Sequence, residues 1–366
     1  MEIKEAVEKS NSSLFEEVTR LGHEQVVFCN DPGTGLKAII AIHNTVLGPS
    51  LGGTRMWAYN SESEALNDVL RLSRAMTFKA AISGLNLGGG KAVIIGDART
   101  MKTEALMRRF GKFINSLGGK YYTAEDVNMK TRDMEYIHME TKYVTGLPKS
   151  MGGAGDPSPV TAYGTYVGMK AMAKKVFGSD SLEGKKVMVQ GAGQVGGYLV
   201  EHLLKENAIV YLSDIFEEKA KAIATKGKVK VIEHDLVYET DADIYSPCAL
   251  GATLNDETIP KLKCAIIAGS ANNQLADEIK HGYMLMDQKI AYTPDFLINS
   301  GGLINVYLEY LGNHNYERAY QMADYIYDTC INIAVFSDDN NVSPQEAAME
   351  MANKRIKSIG NIKLTF

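Results

Sequence analysis

Cysteine is scarce in this chain: Cys29, Cys248, Cys264 and Cys330 stand singly, with no C-x-x-C pair and no Cys/His cluster at metal-ligand spacing. Neither a disulfide framework nor a structural zinc is expected, and no metal is assigned. The seven His residues are equally dispersed, and a lone one such as His43 or His138 reads as a satisfied structural residue without chemistry. Long apolar runs are missing too. No stretch of about 18 apolar residues is present to span a bilayer, and Met1 to Arg20 is polar and acidic, without the apolar core of a signal peptide. The protein is expected in the cytoplasm. The formal net charge is −5 and no block of like charge occurs, so neither nucleic acid nor a membrane surface is an expected partner. No internal repeat or low-complexity segment is visible. A small-molecule ligand is left as the natural partner.

The length of 366 residues fits two domains with full-sized cores. The clearest organising stretch, Lys185 to Asp214, reads as strand, turn, helix and second strand. Val187, Met188 and Val189 form the first strand. Gly191, Gly193 and Gly196 follow in G-x-G-x-x-G spacing, with Gln194 and Val195 between them, and Tyr198, Leu199, Leu203 and Leu204 supply a helical stripe. The first glycine permits a tight turn, the second lets the backbone approach a pyrophosphate, and the third lets helix and strand pack. The helix N-terminus then offers N–H groups to the anion. A surface loop would show the same spacing in a chain with 34 glycines, but the strand before and the helix after favour a Rossmann unit. The next strand, Ile209 to Ser213, ends on Asp214. A carboxylate there accepts hydrogen bonds from ribose hydroxyls and repels a 2′-phosphate, and Ile215, Phe216, Glu217 and Glu218 add no Arg, so NAD is favoured over NADP.

In the first third, Gln25 to Cys29 and Leu36 to His43 read as a hairpin around Asp31-Pro32-Gly33. Ser61 and Glu64 form a capping-box pattern before a long helix that ends near Lys79. Gly88-Gly89-Gly90-Lys91 leads into a buried strand over Ala92 to Ile95. Met101 to Leu117 reads as a helix, and Tyr121 to Ala124 as a strand that delivers Glu125 and Asp126 at its end, where sites are built in α/β sheets. Lys149 to Pro157 reads as the domain boundary, with Ser158 and Pro159 as the cap and first position of a helix running to Phe177. Beyond Asp214, strands near Val229, Asp243, Cys264 and Ile290 complete a doubly wound sheet. Gly301-Gly302 precedes a helix over Leu303 to Tyr310. Helices from Glu317 to Phe336 and from Pro344 to Ile359 follow. On spacing alone Lys79, Lys91 and Asp126 read as solvated or turn-forming residues sooner than as members of a site.

The segments LGPSLGGTRM, MTFKAAISGLNLGGGKAVIIGD, YYTAEDV, GDPSPVTAYG, IAGSANNQL and YTPDFLINSGGLINV resemble, in order and spacing, those of the Glu/Leu/Phe/Val dehydrogenase family. The resemblance runs from about Glu24 to Ile356 and is nearest to the leucine-acting members. It implies an α/β fold of two domains, an N-terminal α/β amino acid dehydrogenase domain and a C-terminal Rossmann-type doubly wound sheet. Residues 1–150 would bind substrate and oligomerise, with 338–366 packing back on them. Residues 151–337 would bind NAD, and the cleft between the domains would close on substrate. The implied reaction interconverts an L-amino acid and its 2-oxo acid with NAD and ammonia, in a homo-oligomer that the resemblance makes an octamer.

By the same resemblance Lys79 holds the substrate carboxylate, Lys91 is the catalytic lysine, and Asp126 manages the amino group's protons. Gly52 and Gly53 bind the carboxylate through their backbone, and Thr161 and Asn273 position the nicotinamide. Leu51, Ala124, Leu303 and Val306 form the side-chain pocket. Glutamate-acting relatives carry a lysine where Leu51 stands, and phenylalanine-acting ones often a glycine where Ala124 stands, so a branched aliphatic side chain is expected. The chain departs from the pattern at Asn128, usually glycine, and at Gly90, commonly alanine in leucine-acting members. These departures bear on substrate more than on reaction. Two other readings stand beside this one: a phenylalanine dehydrogenase, and a catalytically silent NAD-binding sensor or scaffold.

Overall fold

The computed structural model describes residues 14–225 and 227–363. The start of the polar opening stretch therefore lies outside the described residues. The chain divides into two compact units, Met1–Gly155 with Ile356–Phe366, and Asp156–Arg355.

The first unit holds α1 (Leu14–Leu21), β1 (Gln25–Asp31), β2 (Leu36–Asn44), β3 (Ser50–Leu51), β4 (Thr54–Trp57), α2 (Glu62–Ile82), β5 (Gly88–Ile95), α3 (Glu104–Ser116), β6 (Tyr121–Tyr122) and α4 (Thr131–His138). Its mixed sheet runs β1-β2-β5-β3-β6, with β4 also paired to β5. The β1–β2 hairpin is antiparallel in the expected register, and β5 runs parallel to β3 and β4. Side chains alternate faces along a strand, and β2 buries both rows. Ala38, Ile40 and Ile42 pack with Leu106, Phe110 and Ile137, while Ile39 and Ala41 pack with Val69 and Leu70 of α2. Burial on both faces is why β2 reads as a continuous apolar run.

Two local features differ from expectation. Strand β5 begins at Gly88, so the glycines and Lys91 belong to the strand. The cause is α2, which lies so close that a Cβ on Gly89 would stand 2.2 Å from the Thr77 backbone nitrogen. At the start of α2 the Ser61 hydroxyl accepts the Glu64 N–H at 3.1 Å, but the Glu64 carboxylate accepts the Asn60 N–H at 2.8 Å. The cap forms, with its return bond one residue earlier than the capping box requires.

The second unit holds α5 (Ser158–Phe177), β7 (Lys186–Gln190), α6 (Gln194–Lys205), β8 (Ile209–Ser213), α7 (Glu217–Ala224), β9 (Val229–Val231), β10 (Ile244–Pro247), β11 (Ile266–Ile267), α8 (Lys280–Asp287), β12 (Ala291–Tyr292), α9 (Asp295–Ile298), α10 (Gly301–Tyr310) and α11 (Tyr316–Asn340). Helix α12 (Pro344–Lys363) crosses the division at Arg355. The sheet is parallel throughout, in the order β12-β11-β10-β7-β8-β9. Counted from β7 that is the 3-2-1-4-5-6 order of a dinucleotide-binding sheet.

Here too the boundaries shift slightly. Pro157 caps α5, so Ser158 and Pro159 are its first two helical positions rather than cap and first position. Gly301 and Gly302 lie inside α10 instead of before it. A Cβ at Gly301 would fall 2.2 Å from the Val160 carbonyl oxygen, so glycine lets α10 start against α5.

Candidate active site

In the first unit, β5 carries Lys91 on the face that looks toward α2, and only 7% of the residue is exposed. The segment after β6 pairs with β4 through a Thr54–Glu125 bridge and brings Asp126 beside it. Asp126 Oδ2 accepts from Lys91 Nζ at 2.9 Å and from Arg55 Nε at 3.0 Å. Arg55, on β4, also donates through Nη1 to Asp68 Oδ2 of α2 at 3.0 Å, and the same oxygen accepts the Tyr59 hydroxyl at 2.7 Å. Burial on its own would raise the pKa of Asp126. The charges of Lys91 and Arg55 outweigh it and hold the carboxyl below the usual range, so it is an ionised acceptor at neutral pH.

Of the other expected residues of this unit, Gly53 stands beside Asp126. A Cβ on Gly53 would lie 2.9 Å from Asp126 Cβ, which leaves room for nothing but glycine there. Gly52 donates its N–H to the Tyr122 carbonyl at 3.1 Å and its own carbonyl accepts the Tyr121 hydroxyl at 2.7 Å. Its amide is thus already engaged. Leu51 is buried on β3 opposite Tyr122, and the Ala124 carbonyl accepts the Thr54 N–H at 2.8 Å. Lys79 occupies the last turn of α2 and is partly buried. Asn128 takes a left-handed φ of 61°, and its side-chain amide donates to the Met56 carbonyl at 3.0 Å. Sequence reasoning missed Arg55, Asp68 and Tyr59. The available signal was the position of Arg55 on a strand two residues past Gly53, which turns it to the same side as Lys91.

In the second unit the glycine loop and the acidic strand end meet. A Cβ on Gly196 would strike the Gly191 carbonyl oxygen at 2.1 Å, whereas one on Gly193 would meet nothing within 4 Å. The open side of the loop therefore faces free space at the start of α6, whose cap residue Gly193 has no side-chain bond to spend on the helix N–H groups. Asp214 accepts the Ala192 N–H through Oδ2 at 2.7 Å and the Phe216 N–H through Oδ1 at 2.9 Å. A carboxylate offers about four acceptor positions, so it ties the loop to β8 and still has two for a ribose. A cavity of about 520 Å³, lined in part by Ala192, Gly193, Gln194 and Lys219, opens beside them. Open backbone at the start of α6 and a carboxylate at the end of β8 suit a dinucleotide.

Asn273 sits at φ 52° on a loop secured on both sides: its carbonyl accepts the Ala252 N–H at 2.7 Å, and Asp295 Oδ2 accepts the N–H of Gln274 at 2.9 Å. Asn299 donates to the Ser270 carbonyl at 3.1 Å and to Asn272 Oδ1 at 2.7 Å. Thr161 lies in the second turn of α5, where a Cβ on Gly302 would reach 2.9 Å from its hydroxyl. Leu303 and Val306 stand one turn apart on α10. Among the described residues no group of three or more His, Cys, Asp or Glu is placed to hold a metal ion.

The sheet order and the glycine loop define a dinucleotide-binding unit, joined in one chain to a unit carrying a Lys–Asp pair largely withdrawn from solvent. Residues 23–143 match the family model described as Glu/Leu/Phe/Val dehydrogenase, dimerisation domain, and residues 152–216 and 211–359 match Glutamate/Leucine/Phenylalanine/Valine dehydrogenase. The chain belongs to the Glu/Leu/Phe/Val dehydrogenase family. It is 50% identical to the leucine dehydrogenase of Bacillus cereus over 353 residues, 96% of each chain. It is 46% identical to the phenylalanine dehydrogenase of Bacillus thermotolerans, over 95% of this chain and 91% of that one. The crystal structure of L-tryptophan dehydrogenase from Nostoc punctiforme superposes with a TM-score of 0.85 at 44% identity, covering 95% of this chain and 99% of that chain.

Proposed function

We propose that this protein catalyses the reversible, NAD-dependent oxidative deamination of a branched-chain L-amino acid, leucine foremost and valine or isoleucine besides. Amino acid, NAD⁺ and water become 2-oxo acid, ammonium, NADH and one proton. The observation that carries the reading is the Lys91–Asp126 pair, 2.9 Å apart and largely withdrawn from solvent. Bound NAD supplies the hydride acceptor. Lys79 anchors the substrate carboxylate, helped by the N–H of Gly53, since that of Gly52 is already donated within the sheet. Asp126, ionised at neutral pH, takes a proton from the substrate ammonium. Lys91 moves the proton of the water that adds to the imine. Gly191, Gly193, Gln194, Val195 and Gly196 cradle the pyrophosphate, Asp214 takes the ribose hydroxyls, and Thr161 and Asn273 position the nicotinamide.

Leu51, Ala124, Leu303 and Val306, assigned to the substrate side chain, are all apolar, which disfavours glutamate. The alanine at position 124, where glycine would make room for a ring, favours an aliphatic substrate over phenylalanine. A silent NAD-binding role would leave the buried Lys–Asp pair without use. Homo-oligomerisation through the first unit is supported by the match to the dimerisation domain and by Phe28, 55% exposed on edge strand β1, and an octamer is the assembly proposed for it. The cytoplasm is the proposed location; among the described residues no helix is long and apolar enough to cross a membrane. Initial rates of NADH formation with leucine, isoleucine, valine, phenylalanine and glutamate test the substrate assignment. Leucine should lead, and a preference for phenylalanine or glutamate would overturn it.

A further inference from the structure

We propose that Arg55 is a positioning residue: braced from behind by Asp68 and Tyr59, it holds the carboxylate of Asp126 against Lys91. The inference rests on the reading of Lys91 and Asp126 as the proton-transfer pair. A single oxygen, Asp126 Oδ2, receives Lys91 Nζ from β5 and Arg55 Nε from β4. A second edge of the guanidinium meets Asp68 Oδ2 at 3.0 Å, an oxygen that the Tyr59 hydroxyl fixes at 2.7 Å. The guanidinium is planar, so pinning one edge sets the direction of the other. Side-chain exposures of 23% for Arg55, 23% for Asp126 and 16% for Asp68 keep the chain of alternating charges mostly out of solvent.

A second tie comes from the loop itself. Asn128 donates its side-chain amide to the Met56 carbonyl at 3.0 Å, and Met56 donates its N–H to the Val127 carbonyl at 3.1 Å. The segment carrying Asp126 is thereby fastened to β4 at Arg55 and at the residue after it. The groups that face Asp126 are Lys91 from β5, Arg55 from β4 and the Tyr121 phenol from β6, with Asp68 and Tyr59 behind Arg55. Glu125, next in the chain, is engaged with Thr131 and lies near Asp133 and Lys102. Without Arg55, burial of Asp126 would be opposed by Lys91 alone, and the carboxylate would take up a proton at higher pH.

The test is the pH dependence of kcat and kcat/KM for leucine in Arg55→Met and Arg55→Lys, with NADH affinity from fluorescence titration and Trp57 emission as checks on folding. Arg55→Met should lower kcat by about 100-fold, the scale expected when a reacting group loses its placement, and move the acid limb of kcat/KM to higher pH. Arg55→Lys keeps a cation but not the fork, so kcat should fall while the acid limb stays near that of the unmodified protein. An unmoved acid limb in a folded Arg55→Met protein overturns the proposal. Should that variant fail to fold, Arg55→Lys decides: reduced kcat with unchanged NADH affinity supports the proposal, and unaltered kcat overturns it. Absence of leucine turnover in the unmodified protein would instead sink the functional reading.

Discussion

Single residues divide the proposed chemistry into separable measurements. Lys91→Ala should lower kcat by about 10²- to 10⁴-fold, the range for loss of a positioned general base, with NADH affinity little changed. Lys79→Ala should raise KM as well, because an anchor of the ground state is lost together with one of the transition state. Equal small effects in steady-state kinetics would mean the two roles are misassigned. Asp214→Ala removes a carboxylate that holds both Ala192 and Phe216 N–H groups. NAD affinity should fall, and the NAD-to-NADP preference should fall with it, since the repulsion of a 2′-phosphate goes while Lys219 remains beside the cavity. An unchanged ratio of the two kcat/KM values would take Asp214 out of the ribose site.

Among the elements, β5 and its neighbours are the most constrained. Gly89→Ala would place a Cβ 2.2 Å from backbone of α2, whereas at Gly90 the nearest atom is a Tyr121 ring carbon at 2.7 Å. Overpacking against backbone should cost about 3 kcal/mol and against the ring about 1 kcal/mol; urea unfolding followed by Trp57, the sole tryptophan, reads this unit. The β2–α2 contact also titrates. Burial, with a contribution from His23, pushes His43 from 6.5 down to about 4, and its ring bonds to Thr77 Oγ1 at 2.7 Å. The unfolded chain therefore binds this proton first. Stability should drop as pH falls from 6.5 to 4 and this contribution should level off below, so a flat urea midpoint across that window would contradict the assignment. The long helices, the hairpin and the glycine fingerprint were legible because caps, turns and periodicity are local signals. The start of β5 and of α10 were not, because the glycines that looked like loop are there to admit a neighbouring helix, a tertiary cause. Lys91 and Asp126 were singled out by family resemblance, but Arg55 gains meaning only once β4 and α2 place Asp68 behind it.

For the whole molecule, assembly and reaction make distinct claims. An octamer joined through the first unit predicts a sedimentation mass of eight chains, and Phe28→Asp, on the exposed edge of the sheet, should shift the mass toward smaller species. A monomeric mass for the unmodified protein would refute the assembly. The central claim is tested most directly by product analysis with L-leucine and NAD: NADH, ammonia and the 2-oxo acid should appear in equal amounts and Lys91→Ala should suppress all three together, whereas a protein that binds NADH yet forms none of them would contradict the account.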